Sequence, residues 1–218
     1  MPRIETVQKA RKDQGKCGKC GTPILAGDAY RHTTLKTGQR SSQRKVRCMK
    51  DGCSFRQSDL TISRRGEAYA VQEGLEDDVA YLREQAGVLV GGTSPANMNA
   101  VAEGRPVTDE EWLTDLNAIY ESANDALGTA ADALESVYED YRESASNIED
   151  GFGHETQQSQ ELNETADEIE AWAEEVREAL NNSGIQSPEE VLESESDLEE
   201  WLESIIETVE EASTGCPV

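Results

Sequence analysis

The sequence predicts a small α+β head built round a metal site, followed by an all-α acidic body of coiled-coil or helical-bundle type. Three observations carry this. Four of the five cysteines fall into two close pairs, Cys17-Gly-Lys-Cys20 and Cys48-Met-Lys-Asp-Gly-Cys53. Charge divides along the chain: residues 1–66 hold 16 Lys and Arg against 5 Asp and Glu, whereas residues 67–218 hold 4 Arg against 40 Asp and Glu. Beyond residue 66, apolar side chains recur every three or four positions, the period of helices buried along one stripe.

Residues 1–16 are basic, with Arg3, Lys9, Arg11, Lys12 and Lys16 and only Ile4 and Val7 as apolar anchors. A short helix or a flexible arm is expected, one that gains affinity for phosphates by counterion release or is simply solvated. In the first cysteine pair, Gly18 and Gly21 suit a knuckle whose backbone N–H groups turn toward sulfur. Ala29–Leu35 (AYRHTTL) and Arg44–Cys48 (RKVRC) read as two strands, joined by the Gly- and Ser-containing loop KTGQRSSQ.

A hairpin-sized insert between the cysteine pairs brings Cys17, Cys20, Cys48 and Cys53 round one tetrahedral ion, and thiolate chemistry favours zinc. Four thiolates close the shell, so the site is expected to be structural. His32 lies in a strand without a partner histidine and is left out of the ligand set. Lys36, Arg40, Arg44, Lys45, Arg47 and Lys50 form the densest positive patch and are the candidate nucleic-acid-binding residues. Tyr30, Phe55 and Tyr69 fit the small core beside the metal better than a base-stacking platform.

The run CGKCGTPILAGDAY resembles the opening of zinc-ribbon and treble-clef fingers, including the poly(ADP-ribose) polymerase type that grips DNA ends. The likeness covers about 40 residues, and those polymerase fingers close with His-x-x-Cys where this chain has Cys48 and Cys53. The layout as a whole, with GKCGKCG, RCMKDGC followed by RQSDLT, and GFGHETQQSQELNETADE, resembles uncharacterised small proteins of tailed viruses of bacteria and archaea. That likeness implies a viral or mobile-element origin and a zinc-ribbon head, with no activity attached.

A helix is expected from about Arg64 to Ala86 on the stripe Ala68, Val71, Leu75, Val79, Leu82 and Ala86. Residues 87–107, with four glycines and two prolines, read as a linker. The predicted domains are thus residues 1–66, the helix 67–86, the linker 87–107 and the acidic bundle 108–218. Thr108-Asp-Glu-Glu111 is a capping box opening the longest helix, whose stripe runs Leu113, Leu116, Tyr120, Ala123, Leu127, Ala130, Leu134, Val137, Tyr141 and Ile148. Such sustained spacing predicts a coiled coil or a close-packed bundle. The turn Asp150-Gly-Phe-Gly-His-Glu155 sends the chain back into a helix ending near Asn181, on Leu162, Thr165, Ile169, Trp172, Val176 and Ala179. Ser187-Pro-Glu-Glu190 is a second capping box, opening a helix that carries Val191, Leu198, Trp201 or Leu202, Ile205, Val209 and Ala212.

These features restrict function. No nucleophile–base pair, phosphate loop or dinucleotide fingerprint is present, so an enzyme is not expected. His154 lies in a turn, suited to capping, and Cys216 reads as a free thiol. Carboxylate pairs such as Glu174 and Glu178 follow from composition alone. A formal net charge of -25 and the lack of any run approaching about 18 apolar residues argue against a membrane partner. Paired cysteines of metal-binding type and the lack of a signal-peptide core suggest the cytoplasm, that of a host if viral, or a virion. The expected function is a non-enzymatic zinc protein. Its head binds nucleic acid or an anionic protein surface, and its helices self-associate or bind a protein. A virion scaffold acting through its coiled coil, an acidic DNA mimic, and adaptation to high salt are the alternatives.

Overall fold

The computed structural model describes residues 2–37, 41–61, 63–103, 106, 108–182, 187–189 and 198–217. A small antiparallel-sheet region is followed by helices. The chain divides into two compact units, Met1–Ala70 and Val71–Pro217, the division falling inside the first helix.

In the first unit the strands are β1 (Glu5–Val7), β2 (Gly15–Lys16), β3 (Pro23–Ile24), β4 (Tyr30–Lys36) and β5 (Ser42–Cys48). β4 and β5 form the predicted hairpin, in register from Tyr30↔Cys48 to Lys36↔Ser42. β1 adds to the other edge of β4, with Glu5 opposite His32. β2 and β3 form a separate antiparallel pair. The basic lead-in is therefore neither helix nor arm. After β1 it runs as a ribbon whose backbone groups find partners across a turn: Ala10 N–H donates to Asp28 C=O and Gly27 N–H to Ala10 C=O, both at 2.8 Å, and Gln14 N–H to Ile24 C=O at 2.9 Å. Two acids hold that turn, since Asp28 Oδ2 accepts from Leu25 N–H and Asp13 Oδ1 from Ala26 N–H, both at 2.8 Å.

The interior of this unit is small. Ala10, Cys17, Ile24, Tyr30, Cys48 and Cys53 are its buried cluster, with Val7 and Val46 packed against it. A 3-10 turn, Ser58–Leu60, leads to α1 (Arg65–Val90).

The second unit holds the rest of α1 with α2 (Pro95–Glu103), α3 (Asp109–Phe152), α4 (Gln157–Asn182) and α5 (Leu198–Thr214). Thr108 and Glu111 make both bonds of the predicted capping box. Two differences from expectation concern residues 87–107. α1 runs on to Val90, and the stretch read as linker contains α2, opened by Ser94, whose Oγ accepts from Asn97 N–H at 3.3 Å. Pro95 occupies the first helical position, where its missing N–H has no partner to lose. Glu190 and Val191 of the second capping-box helix lie outside the described residues.

α3 and α4 form the main antiparallel pair, and α5 packs on both. On α3 the buried face is wider than one seam. Ile119, Ala131, Tyr138 and Ala145 are buried beside the predicted Leu116, Ala123, Leu127, Ala130, Leu134, Val137 and Tyr141. A face this broad suits contact with more than one neighbour, with alanines permitting close approach. Trp172 on α4 is fully buried, and its Nε1–H donates to Ala212 C=O at 2.7 Å, satisfying one of the carbonyls left over at the end of α5. Gly215 leaves room for the indole, because a Cβ there would collide with Trp172.

Trp172→Phe keeps most of the apolar bulk but leaves that carbonyl without its donor. A loss of about 1–3 kcal/mol in unfolding free energy is expected, read by circular dichroism over a urea series. An unchanged midpoint would show that the bond contributes nothing net.

Candidate metal centre

Cys17 and Cys20 lie on the first knuckle, and Cys48 and Cys53 on the second, which begins at the last residue of β5. The register of β4 with β5 and the bond from Gly18 N–H to Val46 C=O (3.0 Å) draw the two knuckles together. All four sulfur atoms lie within 4.8 Å of one another, with Cys20 and Cys48 3.6 Å apart. Tetrahedral thiolate coordination at about 2.3 Å places sulfurs ~3.8 Å apart, so the four predicted ligands fit one metal ion and are compatible with zinc. Cys17, Cys48 and Cys53 are buried and Cys20 is exposed. Among the described residues no other group of three or more metal-binding side chains comes together.

The donor set is divided, with the Cys17 and Cys20 thiols shifted down and the Cys48 and Cys53 thiols shifted up. Burial pushes the Cys17 thiol up, but the N–H groups of Cys20, Cys48 and Lys19 outweigh it and leave the thiol below its ordinary value. The Thr22 hydroxyl, 3.2 Å away, and the Thr22 N–H bring Cys20 down to about 6. Lys50 Nζ donates to Thr22 Oγ1 at 3.1 Å. Burial holds Cys48 above its ordinary value against the Lys50 N–H. Burial and the neighbouring thiols push Cys53 up to about 12. Cys20 is thus available as a thiolate at neutral pH, and the Cys48 and Cys53 thiols, shifted up, must release protons as a metal binds.

The knuckle glycines divide in role. Gly21 and Gly52 have φ of +70° and +74°, as tight turns toward sulfur require. Gly18 does not, and it is glycine because the Arg47 guanidinium lies against it.

Arg47 changes the picture of the basic patch. It is buried, its Nη2 is 2.5 Å from Asp59 Oδ1, and its guanidinium lies over the Phe55 ring at 5.2 Å. Lys45 is half-buried, 3.8 Å from the same carboxylate oxygen. Arg44 donates to Tyr30 Oη at 2.8 Å and to Gln14 Oε1 at 2.9 Å. Lys36 and Lys50 are exposed, and Arg40 lies outside the described residues. Sequence reasoning missed Thr22 and the pairing of Asp59 with Arg47; a hydroxyl two residues beyond a ligand cysteine was the only signal for the first, and none marked the second.

His32 Nε2 is 3.5 Å from Glu5 Oε2 and has no part in the cluster. His154 is exposed, with Nδ1 3.0 Å from Phe152 C=O. Cys216, half-buried, lies outside the four-sulfur group. Comparison with family models, curated proteins and solved structures returned no match.

Cys48→Ser is expected to abolish metal retention, whereas Cys216→Ser keeps a single ion per chain; metal analysis after desalting reads both. Because the ligands bind as thiolates, affinity rises with pH. It falls steeply as pH drops through about 6, where Cys20 itself protonates. Competition with a chelating dye over a pH series checks the sign. Gly18→Ala displaces Arg47 and is expected to destabilise the head by about 1–3 kcal/mol, measured as a lowered midpoint for metal-linked unfolding.

Proposed function

We propose that the protein is a non-enzymatic zinc protein of viral or mobile-element origin. Its head binds nucleic acid, and its acidic helical body serves self-association or a protein partner. The observation that carries this reading is the opposite use of cations in the two units. In the head, Lys9, Arg11, Lys12, Lys16, Lys19, Lys36 and Lys50 are exposed, and no carboxylate partner is found for them among the described residues. In the body each described cation joins two helices: Arg83 to Glu210 at 2.5 Å, Arg142 to Glu170 and Asp167 at 2.5 and 3.1 Å, and Arg177 to Glu135. The head offers positive charge outward, and the body keeps its few positive charges for its own packing.

Zinc suits the four-sulfur site because thiolates favour a borderline-soft, redox-inactive ion of tetrahedral habit. Its role is to hold the two knuckles. Phosphate contacts by lysine carry affinity without base readout. The same interhelical pairs favour a second reading, in which the anionic body acts as a scaffold or a DNA mimic toward a cationic partner; a stable oligomer in solution mass measurements would support the scaffold form.

Zinc-loaded full chain, titrated into labelled duplex DNA and single-stranded RNA, is expected to bind at about 20 mM salt and to lose affinity steeply by about 200 mM. Removal of residues 71–218 should tighten binding, since a segment of net charge -35 opposes a polyanion. Failure of both forms to bind either polymer at low salt would remove the nucleic-acid reading.

A further inference from the structure

The hairpin, where the sequence concentrates positive charge, has spent much of it internally. Arg47 is buried against Asp59, Lys45 leans on the same carboxylate, and Arg44 is held by Tyr30 and Gln14. Resting on the nucleic-acid reading above, we infer that the phosphate-binding surface is instead the ribbon of residues 9–19, with Lys50 beside its metal-bearing end.

This ribbon carries Lys9, Arg11, Lys12, Lys16 and Lys19, all exposed. Its one acid, Asp13, accepts from Ala26 N–H and so holds the neighbouring turn. The ribbon is fixed along its length, by Ala10 to Asp28 and Gly27, by Gln14 to Ile24, and by Cys17 N–H to Thr22 C=O at 2.8 Å. Its far end carries Cys17 and leads directly into Cys20. Lys16 pairs with Pro23 across β2 and β3, and Lys50, from the second knuckle, donates to Thr22, the residue before that proline. Lysines from both knuckles therefore meet round one loop. The only acid on either knuckle is Asp51, which is exposed.

A flexible basic arm would lose conformational entropy on meeting a phosphate backbone. A ribbon already ordered by hydrogen bonds and by the cysteine cluster loses little, so more of its electrostatic attraction appears as affinity. Lysine ammoniums act as point charges without the bidentate geometry that reads bases. The ligand is thus the phosphodiester backbone, bound without regard to sequence. A simpler role for Lys19 and Lys50 is to balance the negative charge of four thiolates; that role would show in metal retention and leave polymer binding alone.

The test uses zinc-loaded full chain and two unrelated DNA duplexes of equal length, with single-stranded RNA in parallel. Lys16→Gln with Lys19→Gln is compared with Lys36→Gln with Lys45→Gln. The ribbon variant is expected to bind both duplexes roughly tenfold more weakly at about 50 mM salt and to lower the salt slope by about 2, with zinc content unchanged. The hairpin variant should lose less on both counts. An equal or larger loss in the hairpin variant overturns the ribbon assignment while leaving nucleic-acid binding intact. Zinc loss without a change in slope also overturns it, in favour of charge balancing. Tighter binding of poly-glutamate than of either nucleic acid moves the surface to an anionic protein. A wild-type chain that binds neither polymer removes the inference together with the reading it rests on.

Discussion

Everything in the head hangs on four sulfur atoms crowded within bonding distance of a common centre. Half of the buried cluster of this unit is cysteine, and the rest is Ala10, Ile24 and Tyr30. So little apolar surface cannot by itself offset the entropy of ordering about 70 residues. For a unit built this way, a metal ion held by the four sulfurs would make its capture and folding one equilibrium. The amides that point at Cys17, and the Thr22 hydroxyl beside Cys20, belong to the same device, because they favour the charged form that a metal requires.

Charge is the second organising constraint, and it acts differently in the two units. Arg47 acts within the head: it packs over Phe55, pairs with Asp59 and fills the space above Gly18, so the knuckle has no room for a side chain there. In the body the described arginines do similar work between helices, each bridging two of them. Exposed ion pairs of this sort add little to stability one at a time. The body instead owes its order to the broad apolar face of α3 and to Trp172 closing the end of α5.

The clustering of the four cysteines was legible because cysteine spacing is a local signal. The capping box at Thr108 was legible for the same reason, and so was the hairpin, in its alternating strand residues. Signals that depend on distant partners were not. Arg47 looked like surface charge because Asp59 lies 12 residues beyond it, outside any local pattern. The lead-in looked like an arm because its partners, Ile24 and Asp28, supply backbone groups that no side chain announces. α2 is a different kind of miss: Ser94-Pro95 carries the same helix-opening chemistry recognised at Ser187-Pro188, but the neighbouring glycines drew attention to breakage instead.

The separation of the two units by charge also has a chemical consequence. All seven lysines of the chain precede Asp51, and six of them are exposed. Residues 51–218 contain no side-chain amine at all. Acylating reagents, amine cross-linkers and enzymes that attach groups to lysine therefore meet side-chain targets in the sheet unit alone. Cross-links between lysines of two copies would report on the neighbourhood of their knuckles and ribbons, while the helices remain silent to that chemistry.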